Sequence, residues 1–301
     1  MLRHRLFFGA LLIAALVGLF IADARVSASA ALPRADGLIV MLIVAAIAVV
    51  GGIELTALLR GAGLDPRRAW PIAMCVAIVL APLAAHNRWL NLESAPATID
   101  YQLTVGLLVA AFAGAFLFIG HRRRTERAAA DLAATTFVVL YLGLFPAFLV
   151  RLRVESPDGS VWPLVYFVAT AKACDIGAYF TGLAIGRTKL IPWLSPKKTY
   201  EGLIGGIGFS IGTAFLIAHF MRESLGPFVV ADDGSLQVGP IVAFGAIMAL
   251  LGQAGDLLES LIKRDAQAKD SAAAIPAFGG VLDLIDSLIL SAPAACWMLL
   301  R

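Results

Sequence analysis

The chain has 301 residues, of which 60% are hydrophobic and 15% charged, and its formal net charge is +3. Soluble domains average roughly 45–50% apolar and about 25% charged. This composition excludes a disordered chain and an ordinary soluble globule, and the small charge excess gives no reason to expect a nucleic-acid partner.

A helix that crosses the hydrocarbon core needs about 20 mostly apolar residues. Taken in chain order, the sequence predicts about nine such spans, near residues 6–22, 37–59, 69–85, 103–120, 130–150, 161–185, 202–221, 239–262 and 280–300. The long apolar runs lack the period-2 alternation of barrel strands, so the expected fold is all-α, a polytopic integral membrane helix bundle. The first span has a second reading as a signal peptide, because Arg3 and Arg5 precede it and small residues follow. Cys75, Cys174 and Cys296 each lie in an apolar run with no CxxC spacing, and read as small buried side chains.

Lys and Arg in short loops set orientation. Sixteen of them fall in loops of one parity, among them Arg60, Arg67, Arg68, Arg127, Lys197, Lys198, Lys263 and Arg264; seven fall on the other side. The N-terminus and the loops at 186–201 and 263–279 are therefore expected in the cytoplasm. The segment 222–238, with Asp232, Asp233 and Gly234, reads as an external turn.

The two halves differ in where charge sits. Residues 1–150 carry few ionisable groups inside spans, with Glu54 the exception, and read as N-terminal scaffold helices. Residues 151–301 read as the catalytic membrane domain. The sixth span holds Lys172 and Asp175, the eighth holds Asp256, Glu259 and Lys263, and the ninth begins with Asp283 and Asp286. Ionisable groups inside spans usually face a partner or a cavity. Spacings of three and four place Asp283 with Asp286, and Asp256 with Glu259 and Lys263, on single helix faces.

Four unpaired carboxylates near one membrane surface would each cost several kcal/mol. Divalent cations remove that conflict, and oxygen ligands suit Mg²⁺, which takes substrate phosphates among its remaining ligands. Two such ions can clamp the attacking and leaving oxygens of an in-line displacement. A structural reading stands beside this one: Asp256 or Glu259 pairs with Lys263 or Arg264, and Asp283 caps the helix that begins near Gly280. The loop Ser195-Pro196-Lys197-Lys198-Thr199-Tyr200-Glu201-Gly202 places two ammonium groups and two hydroxyls at a helix start, which suits a phosphate chain; a plain positive-inside loop would also explain the lysines. There is no P-loop, HExxH or GxGxxG. The pairs Gly182/Gly186, Gly202/Gly206 and Gly208/Gly212 read as helix-packing surfaces.

Ser260-Leu-Ile-Lys263-Arg264, four residues, Lys269-Asp270, five residues, then Pro276-x-x-Gly279-Gly280-x-x-Asp283-x-x-Asp286 resembles the signature of the phosphatidate cytidylyltransferases, or CDP-diacylglycerol synthases. Upstream, Asp175-x-Gly177-Ala178-Tyr179-Phe180-x-Gly182, the Ser195–Gly202 loop and Gly255-Asp256-Leu257-x-Glu259-Ser260 also resemble family segments, so the likeness covers roughly residues 170–290. Two positions depart: Phe278 stands where the family usually has His, and Leu284 where it usually has Arg.

The resemblance implies transfer of CMP from CTP to phosphatidic acid, giving CDP-diacylglycerol and pyrophosphate. It implies Mg²⁺, as two ions, held by Asp256, Asp283 and Asp286, with Asp175 and Asp270 as further candidates. Lys263 joins the three aspartates as a catalytic candidate. Substrate contacts are expected from Ser195, Lys197, Lys198, Thr199, Glu259, Ser260, Arg264, Lys269, Gly279 and Gly280. The expected partners are CTP, phosphatidic acid and the lipid bilayer, with no nucleic acid and a homodimer left open. The expected location is the cytoplasmic membrane, with the active site on the cytoplasmic side. Two other functions compete: a secondary transporter, whose charges should lie near the bilayer midplane, and a CTP-dependent isoprenoid-alcohol kinase.

Overall fold

The computed structural model describes residues 15, 17–27, 36–86, 99–121, 125–156, 159–268, 271 and 279–300. The chain is an all-α polytopic membrane protein. Helices satisfy every backbone group within the segment, which hydrocarbon demands. In order they are α1 (residues 17–27), α2 (Leu38–Gly61), α3 (Ala69–His86), α4 (Ile99–His121), α5 (Ala128–Val139) and α6 (Phe145–Val154). A single π turn, Leu140–Leu144, joins the last two. There follow α7 (Trp162–Ile185), α8 (Tyr200–Phe220), the short α9 (Arg222–Leu225), α10 (Val238–Asp265), α11 (Leu282–Ile289) and α12 (Ala292–Leu299).

Among the described residues, six helices are long and apolar enough to cross a membrane, and a seventh if the bent pair α11–α12 is one span. The nine expected spans exceed this count for two reasons. The first lies largely outside the described residues. The sixth is present as the 24-residue α7, but Lys172, Asp175 and its glycines leave it outside the strongly apolar set.

The chain divides into two compact units. The first comprises residues 1–154 with 265–284, and the second 155–264 with 285–301. In the first unit, Trp70 of α3 donates to the Ala111 carbonyl of α4 at 3.0 Å, and any side chain at Gly114 would collide with its indole. A buried ion pair ties the unit's ends together. The Arg153 Nε lies 2.5 Å from Asp23, both side chains fully excluded from solvent. Asp23 also accepts from the amides of Ile39 and Val40 at the start of α2, and Arg153 donates to Ser27. Arg151 stacks over the Tyr101 ring at 3.7 Å. Arg151 and Arg153, two of the seven basic residues on the sparser side of the sequence count, are thus structural cations.

In the second unit, α7 and α8 approach closely along small residues. A Cβ at Gly206 would stand 2.8 Å from the Cys174 carbonyl, and one at Gly202 would stand 2.9 Å from that of Ala178. Ser210 of α8 donates to the carbonyls of Thr170 and Gly245, which bonds α7, α8 and α10 together. Gly182, Gly202 and Gly206 are thus packing positions as expected. Gly208 and Gly212 meet no neighbour within 4 Å among the described residues. The three cysteines are free and buried. Segment 222–238 is more than a turn: it contains α9, a 3-10 turn and a bridge between Val230 and Leu236. There the Ser235 hydroxyl and amide hold the Asp233 carboxyl below the usual carboxylate range.

Candidate active site

The lysine loop is folded in a way its sequence did not suggest. Lys189–Ile191 (β1) and Ser195–Thr199 (β2) form an antiparallel hairpin in which Lys189 pairs with Thr199 and Ile191 with Ser195. The hairpin runs directly into α8. Thr199 caps that helix, its hydroxyl accepting from the Gly202 amide at 3.1 Å. Glu201 accepts from the amides of Arg187 and Thr188, clamping the hairpin base to the first turn of α8. Ser195, Lys197, Lys198 and Thr199 are therefore held on one rigid strand.

Within the second unit, Lys198 Nζ lies 2.7 Å from the Asp256 carboxylate of α10. Ser260, one turn along α10, contacts the same carboxylate at 3.4 Å. Two segments widely separated in sequence, the lysine loop and the Gly255-Asp256-Leu257-x-Glu259-Ser260 stretch, are thereby joined at one ion pair. Gly255 is required here, because a Cβ would collide with the Asp286 carbonyl.

A second cluster surrounds Lys172 of α7. Its ammonium lies 2.6 Å from the Ser287 hydroxyl, 3.4 Å from Asp175 and 3.9 Å from Asp286. Ser287 in turn donates to Asp175 at 3.1 Å. A lysine inside a helix of this kind needs such partners. Lys172 was visible in the sequence as an intraspan cation, but nothing there assigned it to Asp286. Glu259, 2% exposed, lies 3.3 Å from Lys263; this is the structural pairing that the spacing of four allowed. Arg264 is exposed at the end of α10.

In the first unit, Asp283 holds the turn before its own helix. Its carboxylate accepts from the Gly280 amide at 2.9 Å and from the Ser271 hydroxyl at 2.7 Å and amide at 3.2 Å. Glu54 of α2, 5% exposed, accepts from the amides of Val281 and Leu282, each at 3.0 Å. Gly279 has a φ of 96°, a conformation open to glycine at no steric cost. Gly280 is needed for space, since a Cβ would overlap Ser271 and the Glu54 carboxylate. Sequence reading placed Glu54 in a scaffold; its only signal was being a charge inside a span. Lys269, Asp270 and Phe278 lie outside the described residues.

These positions bear on the Mg²⁺ expectation. Asp175, Asp256 and Asp286 are hard oxygen donors of the kind Mg²⁺ takes. As placed, however, they are held by Lys172 and Lys198, and among the described residues no three His, Cys, Asp or Glu side chains form a group able to hold a metal ion. Asp283 belongs to the first unit and Asp270 lies outside the described residues, so Asp175, Asp256 and Asp286 are the expected ligands that the second unit holds.

Comparison with known proteins agrees with the signature. The model of the cytidylyltransferase family matches residues 7–300, so the chain belongs to that family. Relatives named phosphatidate cytidylyltransferase include one from Haemophilus influenzae, 37% identical over 153 residues, covering 50% of this chain and 51% of that protein. One from Brucella suis is 36% identical over 192 residues, covering 63% of each chain. One from Chlamydia trachomatis is 36% identical over 146 residues, covering 48% of this chain and 46% of the other. The chain thus spans between about half and under two thirds of the length of the curated relatives it matches.

Proposed function

We propose that this chain transfers the cytidylyl group of CTP to phosphatidic acid, releasing pyrophosphate, at the cytoplasmic face of the inner membrane. The observation that carries this reading is the Lys198–Asp256 pair at 2.7 Å, which unites two phosphate-type motifs in a chain of the cytidylyltransferase family. In the reaction, an oxygen of the lipid phosphate attacks the α-phosphorus of CTP. The new P–O bond forms as the bond to the β-phosphate oxygen breaks, and the electron pair leaves with pyrophosphate. The nucleophile is already an anion, so no strong base is needed. What the site must supply is neutralisation and alignment.

Lys197 and Lys198 stand on β2 at the N-terminal end of α8, where ammonium charge and helix dipole both favour phosphate. Asp256 aims Lys198 and keeps its stem from wandering. Lys172, held by Ser287, supplies a further cation within the second unit. Mg²⁺ remains part of the proposal on donor chemistry alone: for ions to bind Asp175, Asp256 and Asp286, both lysines would have to yield. No step here is routed through a metal. The positive-inside count supports the cytoplasmic placement of the hairpin.

The test is a labelling assay on the purified chain with phosphatidic acid, Mg²⁺ and CTP. Label from the α-phosphate entering a lipid product, with stoichiometric pyrophosphate, is expected. Label entering only from the γ-phosphate would make the chain a kinase. Cation-driven uptake into proteoliposomes without CTP turnover would make it a transporter.

A further inference from the structure

The signature turn contains an unusual division of labour, and it lies wholly within the first unit. The first amides of a helix lack intrahelical acceptors and are normally capped by the side chain just before them. Before α11 stand Gly280 and Val281, neither of which has a side-chain acceptor. The acceptors for Val281 and Leu282 come instead from Glu54, more than two hundred residues earlier and on another helix. Asp283, in the first turn of α11, accepts from the Gly280 amide at 2.9 Å. Ser271 lies between the two carboxylates, 2.7 Å from Asp283 and 3.3 Å from Glu54. A Cβ at Gly280 would overlap the Ser271 hydroxyl first and the Glu54 carboxylate next.

We propose that Glu54 is a positioning residue that caps α11 from α2 and thereby fixes Asp283 and the Gly279-Gly280 turn for the reaction. It touches no substrate; it acts through the turn. The proposal rests on the cytidylyl-transfer reading for its kinetic arm only. A carboxylate buried in a membrane span would be costly if it merely filled space, and here both of its oxygens are spent on backbone amides of the signature.

Two variants and two readouts test it. Glu54→Ala should lower kcat at least 30-fold with KM for CTP and lipid within threefold. Independently of activity, amide hydrogen exchange at Val281 and Leu282 should quicken at least tenfold in Glu54→Gln, with exchange along α3 and α4 unchanged. Full activity in Glu54→Ala overturns the proposal. So does unchanged exchange at those two amides, which decides the matter even if the parent chain shows no cytidylyl transfer or the alanine variant fails to fold.

Discussion

Lys198 is the residue on which the proposed chemistry turns most directly. Its buried ammonium lies 2.7 Å from the Asp256 carboxylate. A charge-assisted contact is worth about 1.5–3 kcal/mol, and each 1.36 kcal/mol is about tenfold in rate. Lys198→Met should therefore lower kcat/KM for CTP roughly 10- to 100-fold. Lys197→Met should lower it less, because the Lys197 side chain is exposed and in no ion pair among the described residues. Both are read from initial rates of lipid labelling. The lysines were legible in the sequence because charge at a helix start is a local pattern. Their attachment to Asp256 was not, since the two lie on segments that only α8 and α10 packing brings together. Glu54 was still less legible: its partners are backbone amides, which carry no sequence signal at all.

At the scale of elements, α8 offers an internal comparison. Gly206 meets the Cys174 backbone and sulfur, whereas Gly208, two residues on, meets no neighbour within 4 Å among the described residues. Ala exceeds Gly in helix propensity by about 1 kcal/mol, while overpacking costs about 1–3 kcal/mol. Gly208→Ala should hold or raise the thermal midpoint in detergent, and Gly206→Ala should lower it by several degrees. The helices themselves were readable from apolar run length. The β1–β2 hairpin was not, because Ser-Pro-Lys-Lys-Thr has no alternation of apolar and polar residues; it exists because Glu201 and Thr199 anchor it to α8. The GxxxG pairs were readable as packing motifs, but spacing alone did not separate Gly202/Gly206 from Gly208/Gly212.

At the scale of the whole molecule, orientation is the open quantity. The α8 helix has 21 residues, about 32 Å at 1.5 Å per residue, enough to separate its two ends by a bilayer. If the hairpin is cytoplasmic, the 222–237 segment faces outward. Single cysteines at Lys197→Cys and Asp233→Cys should then react from opposite sides with a membrane-impermeant thiol reagent in intact cells and inverted vesicles. The native cysteines are buried and should stay silent. Labelling of both sites from one side would refute α8 as a crossing helix. The buried Asp23–Arg153 pair sets a second global property. Losing one partner strands a charge at a cost of about 3–5 kcal/mol, so Asp23→Leu should markedly reduce the yield of folded protein, and Asp23→Leu with Arg153→Leu should restore much of it.

That pair also has a history in time. Its members are 130 residues apart, and at roughly 5–20 residues per second a ribosome needs about 7 to 26 s to make the second after the first. During that interval Asp23 lacks the partner it holds in the folded chain. It must wait beside the insertion machinery, or at the lipid headgroups, until the arginine emerges. Nascent chains arrested before residue 150 should accordingly remain crosslinkable to the translocon through α1, and chains arrested well beyond Arg153 should have left it.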